Sequence, residues 1–290
     1  MTRIALATSA DLADLWAGDR LFLEELRRRG LAAESVVWDD PGADWNRFDA
    51  VIIRSCWDYH LKIDRFLEWL DRVSADGRTV INRPNLVRWN LHKGYLLDVA
   101  RGGGRIPPTT IIARGAVGLL RDHLHREGWH DAVIKPAVSA TGYRTRLVRG
   151  QPSDADEHAF AEAIAAGDVL AQAYVPEVSE HGEWSFVFFE GRYSHAALKR
   201  AAPGEFRVHI EWGGTVESAA PPPALIAQAQ GLMDALALRA TYGRVDGTEV
   251  GGDLTVMELE VIEPELFFDR EPGAAARLAD AVERVLESRT

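Results

Sequence analysis

The sequence is short of cysteine, of long apolar runs and of positive charge, and each shortage removes a class of function. Cys56 is the only cysteine, so an internal disulfide framework and a cysteine zinc site are both excluded, in keeping with a reducing compartment. No apolar stretch reaches membrane-spanning length, and Met1–Leu12 lacks the charged start, long apolar core and small-residue cleavage site of a secretory signal. A cytoplasmic location is therefore expected. Acidic residues outnumber Lys and Arg by 44 to 33, a net charge of −11, which argues against a general nucleic-acid or anionic-membrane binder. The G-x-G-x-x-G dinucleotide fingerprint is missing from the loop after the first strand-like run. Internal repeats and low-complexity tracts are missing as well. What remains is a chain of 290 residues with ample material for a core, and small-molecule chemistry is the favoured class.

Apolar periodicity orders the chain. Ile4–Thr8 is a short apolar run broken at Thr8-Ser9-Ala10-Asp11, and Leu21, Phe22, Leu23, Leu26 and Leu31 recur at helical spacing around Gly30, a C-terminal stop. Ser35–Trp38, Ala50–Arg54 and Thr79–Ile81 read as further strands, with a helix from Asp64 to Val73. Alternating strands and helices predict a parallel α/β sheet over residues 1–84. Asn82-Arg83-Pro84-Asn85 marks a boundary, Val87–Ala100 reads as one helix, and Gly102–Gly104 as its stop and hinge. Two further units are expected over 85–175 and 176–290. They carry strand-like runs at Ala132–Pro136 and Val169–Pro176, a hairpin from Glu183 to Lys199, and helices over Pro221–Ala240 and Pro272–Arg289.

Several stretches carry chemistry. Arg54, Ser55, Asp58 and Tyr59 follow the third strand, where open α/β sheets place ligands, so this loop is a candidate substrate wall or else a surface loop anchored by Trp57. Lys135 ends an apolar strand beside the small-residue loop Ser139–Thr145. That pairing suits phosphate oxygens through point charge and backbone N–H groups, and equally describes a hairpin turn with a solvent lysine. Lys199, Arg200 and Arg207 bracket another loop, which implies a bound anion or nearby carboxylates. Within Tyr242–Phe268, two β-like runs meet at a Gly-Gly-Asp turn. Asp246 lies on the first run, Glu258 and Glu260 share a face of the second, and Glu263 follows. Carboxylates on an apolar strand are paired, protonated or metal-bound, and an all-oxygen set selects a hard cation such as Mg2+. A salt-bridged or solvated edge strand is the other reading.

Taken in order and spacing, these pieces resemble the ATP-grasp ligase superfamily, in its glutathione synthetase-like branch, over nearly the whole chain. The resemblance implies an ATP-grasp fold, α/β and α+β, with an N-terminal Rossmann-like pre-ATP-grasp domain ahead of two lobes that hold ATP. Asn90-Leu91-His92-Lys93 looks like the family's N-x-x-K segment, and Val133–Pro136 like its phosphate-lysine strand. Lys93, Lys135, Ser139, Thr141 and Gly142 are thereby implied phosphate contacts, Gln172, Ala173, Tyr174 and Val175 the adenine hinge, and Glu177 the ribose acid. Lys199-Arg200 through Gly213-Gly214 resembles R-R-x-x-x-x-x-F-R-x-N-x-x-x-G-G, with His209 in place of asparagine; it implies that Arg200 and Arg207 hold the transferring phosphate. Asp246, Glu258 and Glu260 are the implied Mg2+ ligands. Glu260 stands where asparagine is common, and Glu263 is left to touch substrate.

The implied chemistry phosphorylates a carboxylate with ATP so that an amine can displace phosphate, a reaction run by positioning and charge neutralisation. The ATS-A-D-L start, R-S-C-W-D-Y-H, R-W-N-x-x-K, K-P-A-V-S-A and E-L-E-V-I-E-P-E-L-F-F together resemble a bacterial ATP-grasp subgroup that includes cycloserine-forming enzymes. This implies an amino-acid-like substrate, O-ureido-D-serine, closed to D-cycloserine within one molecule, with no nucleic-acid or membrane partner; monomer and homo-oligomer stay open. The alternatives are an intermolecular carboxylate–amine ligase and a non-catalytic nucleotide-binding regulator. Retention of both lysines, both arginines and three carboxylates argues against the regulator, which needs only adenine and phosphate contacts.

Overall fold

The computed structural model describes residues 2–236 and 240–288. Its first sheet is parallel, in the order β2-β1-β3-β4, from β1 (Arg3–Thr8), β2 (Ala32–Val37), β3 (Ala50–Ile53) and β4 (Thr79–Ile81). Strand alternation splits β1 between two cores. Ile4 and Leu6 pack with Phe22 and Leu26 of α1 (Ala17–Arg28), and Ala5 and Ala7 pack with Phe66, Trp69 and Leu70 of α2 (Ile63–Ser74). The expected strands and helices of this region are all present, and the sheet is parallel as read.

The single helix expected over Val87–Ala100 is instead two, α3 (Pro84–Leu91) and α4 (Tyr95–Arg101). The break has a local cause. The Lys93 backbone N–H donates across to Ala137 O at 2.7 Å, and the Gly94 N–H is taken by His92 Nδ1 at 3.0 Å, so these donors leave the helical ladder. Lys93 is thereby turned inward and buried.

The second sheet is antiparallel, ordered β5-β8-β6-β7, from β5 (Thr109–Ile112), β6 (Asp131–Pro136), β7 (Arg146–Arg149) and β8 (Val169–Ala173). Its helices α5 (Leu120–Glu127) and α6 (Asp154–Ala166) contribute Leu124 and Phe160 to a core with Ile134 and Val169. After the short α7 (Glu177–His181) comes the third sheet, antiparallel in the order β11-β10-β9-β12-β13. Its strands are β9 (Glu183–Phe189), β10 (Arg192–Arg200), β11 (Thr215–Ser218), β12 (Tyr242–Val250) and β13 (Asp253–Glu260), with α8 (Pro223–Ala235) before β12. The expected helix to Ala240 ends at Ala235, and residues 237–239 lie outside the described ones. The last helix, α9 (Ala274–Glu287), falls within the expected run Pro272–Arg289 but starts after Gly273, which caps it at φ 82°, and Arg289 is likewise outside the described residues.

The two faces of β9 divide the interior. Phe186 and Phe188 pack against Leu225, Leu232 and Met233 of α8. On the opposite face Val187 and Phe189 join the core of the first sheet, together with Leu278 and Val282 of α9. Nearer the start of β9 that same face carries Glu183 and Ser185, so one strand face is polar at one end and core at the other. Asn82, at φ 59°, fastens the first sheet to the third: its Nδ2 donates to Tyr242 O (2.8 Å) and Val261 O (2.7 Å), and its Oδ1 accepts from the Thr241 N–H (2.7 Å). No helix among the described residues is long and apolar enough to cross a membrane.

Candidate active site

A polar row crosses the third sheet because its register aligns the right positions. Glu183 lies opposite Lys199, Ser185 opposite Asp246, and Asp246 opposite Glu258. Lys199 Nζ sits 2.6 Å from Glu183 Oε1 and 2.9 Å from Asp246 Oδ2. Arg244, two residues before Asp246 and on its face, grips that carboxylate with Nε and Nη2 at 2.8 Å each, while Nη2 also lies 2.9 Å from Glu260 Oε1. Ser185 Oγ donates to Asp246 Oδ1 at 2.7 Å. Lys93 and Lys135 come in from outside the sheet and meet Glu258 Oε1 at 2.6 and 3.3 Å.

These contacts set the charges. Burial disfavours the ionised form of both Asp246 and Glu258, but Arg244 and Lys199 hold Asp246 well below the usual carboxylate range, and Lys93 and Lys135 do the same for Glu258. Glu260 and Glu263 go the other way. Burial lifts Glu260 to about 7 against the pull of Arg244, and lifts Glu263 to about 8 with added repulsion from Glu260. Burial lowers the Lys135 ammonium, with Glu258 opposing.

Asp246, Glu258 and Glu260 each bring an oxygen to within 4.8 Å of the others. The donor chemistry fits a hard divalent cation. Lysine and arginine stand beside these carboxylates, which is how Asp246 and Glu258 stay ionised side by side while Glu260 is held less firmly so.

Two compartments meet along this row. One lies between the second and third sheets, lined by Lys135, Gln172, Tyr174, Val175, Arg207 and Met257. The other opens toward the first sheet, lined by Trp16, Trp57, Tyr59, Lys93, Glu260 and Glu263. Glu258, Val208 and His209 line both. His209 replaces the family's asparagine at this junction; burial, reinforced by Lys199, lowers it to about 4, so its ring is neutral near pH 7, and its Nδ1 is buried without a partner.

The loop Ala137–Thr145 lies over the junction. Ser139 and Thr141 line the compartment facing the first sheet, and Ser139 Oγ donates to Pro136 O at 3.0 Å. Gly142 has φ +68°, and a Cβ there would stand 3.2 Å from Trp212 Nε1 and 3.4 Å from Arg207 Cδ, so glycine is what lets the two loops touch. The Arg207 guanidinium lies 3.2 Å from the Trp212 ring centroid and pairs with Glu205 at 2.7 Å.

Five of the residues singled out from the sequence lie elsewhere. Arg200 is exposed, bonded to His181 O at 3.1 Å, because alternation along β10 turns it away from the face where Lys199 points in. Arg54 is fully buried and spent on Asp19 Oδ1 (2.9 Å) and Pro264 O (2.7 Å). Ser55 Oγ donates to Asp19 Oδ2 at 2.7 Å, and Asp58 accepts from Trp38 Nε1 at 2.8 Å. These three brace the loop, and Trp57 and Tyr59 form its wall. Glu177 opens α7 and does not line the hinge compartment, where Val178 stands instead. The reading from sequence also passed over Arg244, Glu183 and Trp16 as site residues. Arg244 had a usable signal, since a residue two before Asp246 on a strand must share its face.

Comparison with known proteins agrees with this geometry. Residues 4–82 match a family model described as the N-terminal domain of D-cycloserine synthetase DcsG. The cycloserine biosynthesis protein DcsG of Streptomyces lavendulae is 35% identical over 275 residues, spanning 90% of this chain and 91% of that protein. The crystal structure of D-cycloserine synthetase DcsG superposes with a TM-score of 0.87 at 32% identity, covering 98% of this chain and 99% of that one. A RimK-domain ATP-grasp protein from Sphaerobacter thermophilus shares the fold, at TM-score 0.71 and 18% identity over 97% and 100% of the two chains. A D-alanine–D-alanine ligase from Bacillus anthracis does so at TM-score 0.68 and 16% identity over 100% and 99%. A buried row of paired lysines and carboxylates where two compartments meet, in a chain with this likeness along nearly its whole length, is that of an amide-forming enzyme: the protein belongs to the D-cycloserine synthetase family of ATP-grasp ligases.

Proposed function

We propose that this ligase uses ATP and Mg2+ to convert O-ureido-D-serine to D-cycloserine by intramolecular amide formation. The observation that carries the reading is the meeting of two compartments at Glu258 and His209, one lined by lysine and a backbone hinge, the other by aromatic rings and acids. The likeness to a cycloserine biosynthesis protein over 90% of the chain supports the choice of substrate. ATP lies with its adenine against Gln172–Val175 and its phosphates toward Lys135, Lys93 and the loop of Ser139, Thr141 and Gly142. Arg207 reaches the transferring phosphate, and Lys199 takes the place that the motif gave to Arg200. Asp246, Glu258 and Glu260 would hold Mg2+, which neutralises phosphate charge when bound. We also take the chain as three units, 1–84, 85–175 and 176–290, with the substrate between the first and third.

A substrate carboxylate oxygen attacks the γ-phosphorus and ADP leaves. The ureido nitrogen bonded to oxygen then attacks the acyl carbon, the C–O bond to phosphate breaks, and the nitrogen gives up its proton. Water then adds to the carbamoyl carbon, its bond to the ring nitrogen breaks as that nitrogen takes a proton, and the group leaves as carbamic acid, which falls to carbon dioxide and ammonia. Ring closure within one molecule needs only that Trp57 and Tyr59 fold the substrate and exclude a second amine. Phosphate and ADP release over a panel of amino acids that includes O-ureido-D-serine tests this: turnover with O-ureido-D-serine and no second amine is expected. Turnover only after a second amine is added would make the protein an intermolecular ligase.

A further inference from the structure

The carboxylates of the cleft are not treated alike. Glu183, Asp246, Glu258 and Glu260 each have a lysine or arginine within 2.9 Å. Glu263 is 8% exposed, and among the described residues no cation stands at ion-pairing distance from it. It is fixed in place through its backbone, since Trp57 Nε1 donates to Glu263 O at 3.1 Å. Trp16 lies against Trp57, ring centroids 5.3 Å apart, so Glu263 shares its compartment with the rings of Trp16, Trp57 and Tyr59.

A buried carboxylate without a close counter-ion is costly, and burial raises Glu263 to about 8, with Glu260 adding to the rise and the more distant Lys93, its own backbone N–H and Arg244 opposing it. A carboxylate set among aromatic faces is the usual environment of a bound ammonium ion, which gains an ion pair and cation–π contacts while losing its water. The position suits one ammonium in particular. Glu263 follows Glu260 by three residues and lines the compartment that holds Glu258, so it stands beside the place where a carboxylate would be activated.

We propose that Glu263, walled by Trp57 and Tyr59, receives the ammonium group on the carbon next to the substrate's reacting carboxylate. This rests on the ligase reading above and deepens it: the enzyme selects free α-amino acids, and it does so by completing a charge pair for which the protein's own side chains supply no close cation. Glu263 then acts in substrate selection and anchors the one polar group of the molecule that does not react.

The test compares O-ureido-D-serine with 3-(ureidooxy)propanoate, the same molecule without its amine, in wild type and Glu263→Gln. Wild type should favour the amino compound in kcat/KM by roughly 10- to 100-fold, the span of one charge-assisted hydrogen bond. In Glu263→Gln that preference should collapse toward one, through a raised KM for the amino compound, with KM for ATP and kcat/KM for the deamino compound little changed. Glu263→Asp should retain part of the preference. An unchanged preference in Glu263→Gln, or equal losses on both compounds, overturns the assignment. An unchanged KM for ATP and an unfolding midpoint no lower than that of wild type in the presence of ATP exclude misfolding as the cause. If product forms only with an added amine, the cyclisation reading fails, and the preference ratio still decides the role of Glu263.

Discussion

Lys199 Nζ lies 2.9 Å from Asp246 Oδ2 across two strands, while its neighbour Arg200 faces away. Two adjacent cations on one strand thus have unequal roles. Lys199→Met leaves Glu183 without its cation and Asp246 with Arg244 alone. It should cost on the order of 3 kcal/mol of stability in urea unfolding and lower ADP release about 100-fold. Arg200→Ala should change stability by less than about 0.5 kcal/mol and leave turnover near wild type. A larger loss from Arg200→Ala than from Lys199→Met would reverse the assignment.

Asp246→Asn and Glu258→Gln keep the shape of the proposed metal site and remove one charge each. Both should reduce ADP release by about 100-fold or more and raise the Mg2+ concentration for half-maximal rate. Glu258→Gln has a second effect, because Lys93 and Lys135 lose their shared partner. Near-normal release and an unshifted Mg2+ titration in both variants would remove these residues from the metal site.

Glu263 gives a pH dependence with a defined sign. Its carboxyl goes from an ordinary value of 4.5 to about 8 in the folded protein. Between these values the folded state holds a proton that the unfolded state has lost, so stability falls as pH rises, and the fall is complete above about 8. Without substrate, Glu263→Gln should match wild type in unfolding free energy near pH 4 and exceed it near pH 8. Equal stabilities at both pH values would mean that Glu263 has a counter-ion in solution.

Asn82 links two sheets from a left-handed backbone conformation, φ 59°. Asn82→Ala strands the Thr241 N–H and the carbonyls of Tyr242 and Val261 and puts alanine in a left-handed conformation that asparagine tolerates better, for a cost of about 3 kcal/mol. Asn82→Gly should recover about 1 kcal/mol of that loss by relieving the backbone. Chemical denaturation of the two variants checks the order; Gly below Ala would contradict it.

The fold was legible in the sequence wherever a periodicity was local. The parallel sheet, the hairpin of β9 and β10 and the Gly-Gly turn of β12 and β13 all stand as read. The helix break at Lys93 was hidden, because its cause is a hydrogen bond to Ala137, more than forty residues away. Site residues divided by the same rule. Lys135, Glu258 and Glu263 follow from strand ends and alternation, and they line the cleft. Arg54 and Ser55 looked equally exposed at a strand end, but Asp19, on α1, draws both inward. Lys199 and Arg200 could be told apart only by which face of β10 meets Asp246.

The most direct measurement is the stoichiometry of the reaction with purified protein, ATP, Mg2+ and O-ureido-D-serine as the sole amino compound. One D-cycloserine, seen by mass spectrometry, should form for each ADP released, at a rate that added amino acids do not raise. ADP release without cycloserine, or product only after a second amine is supplied, would contradict intramolecular ring closure.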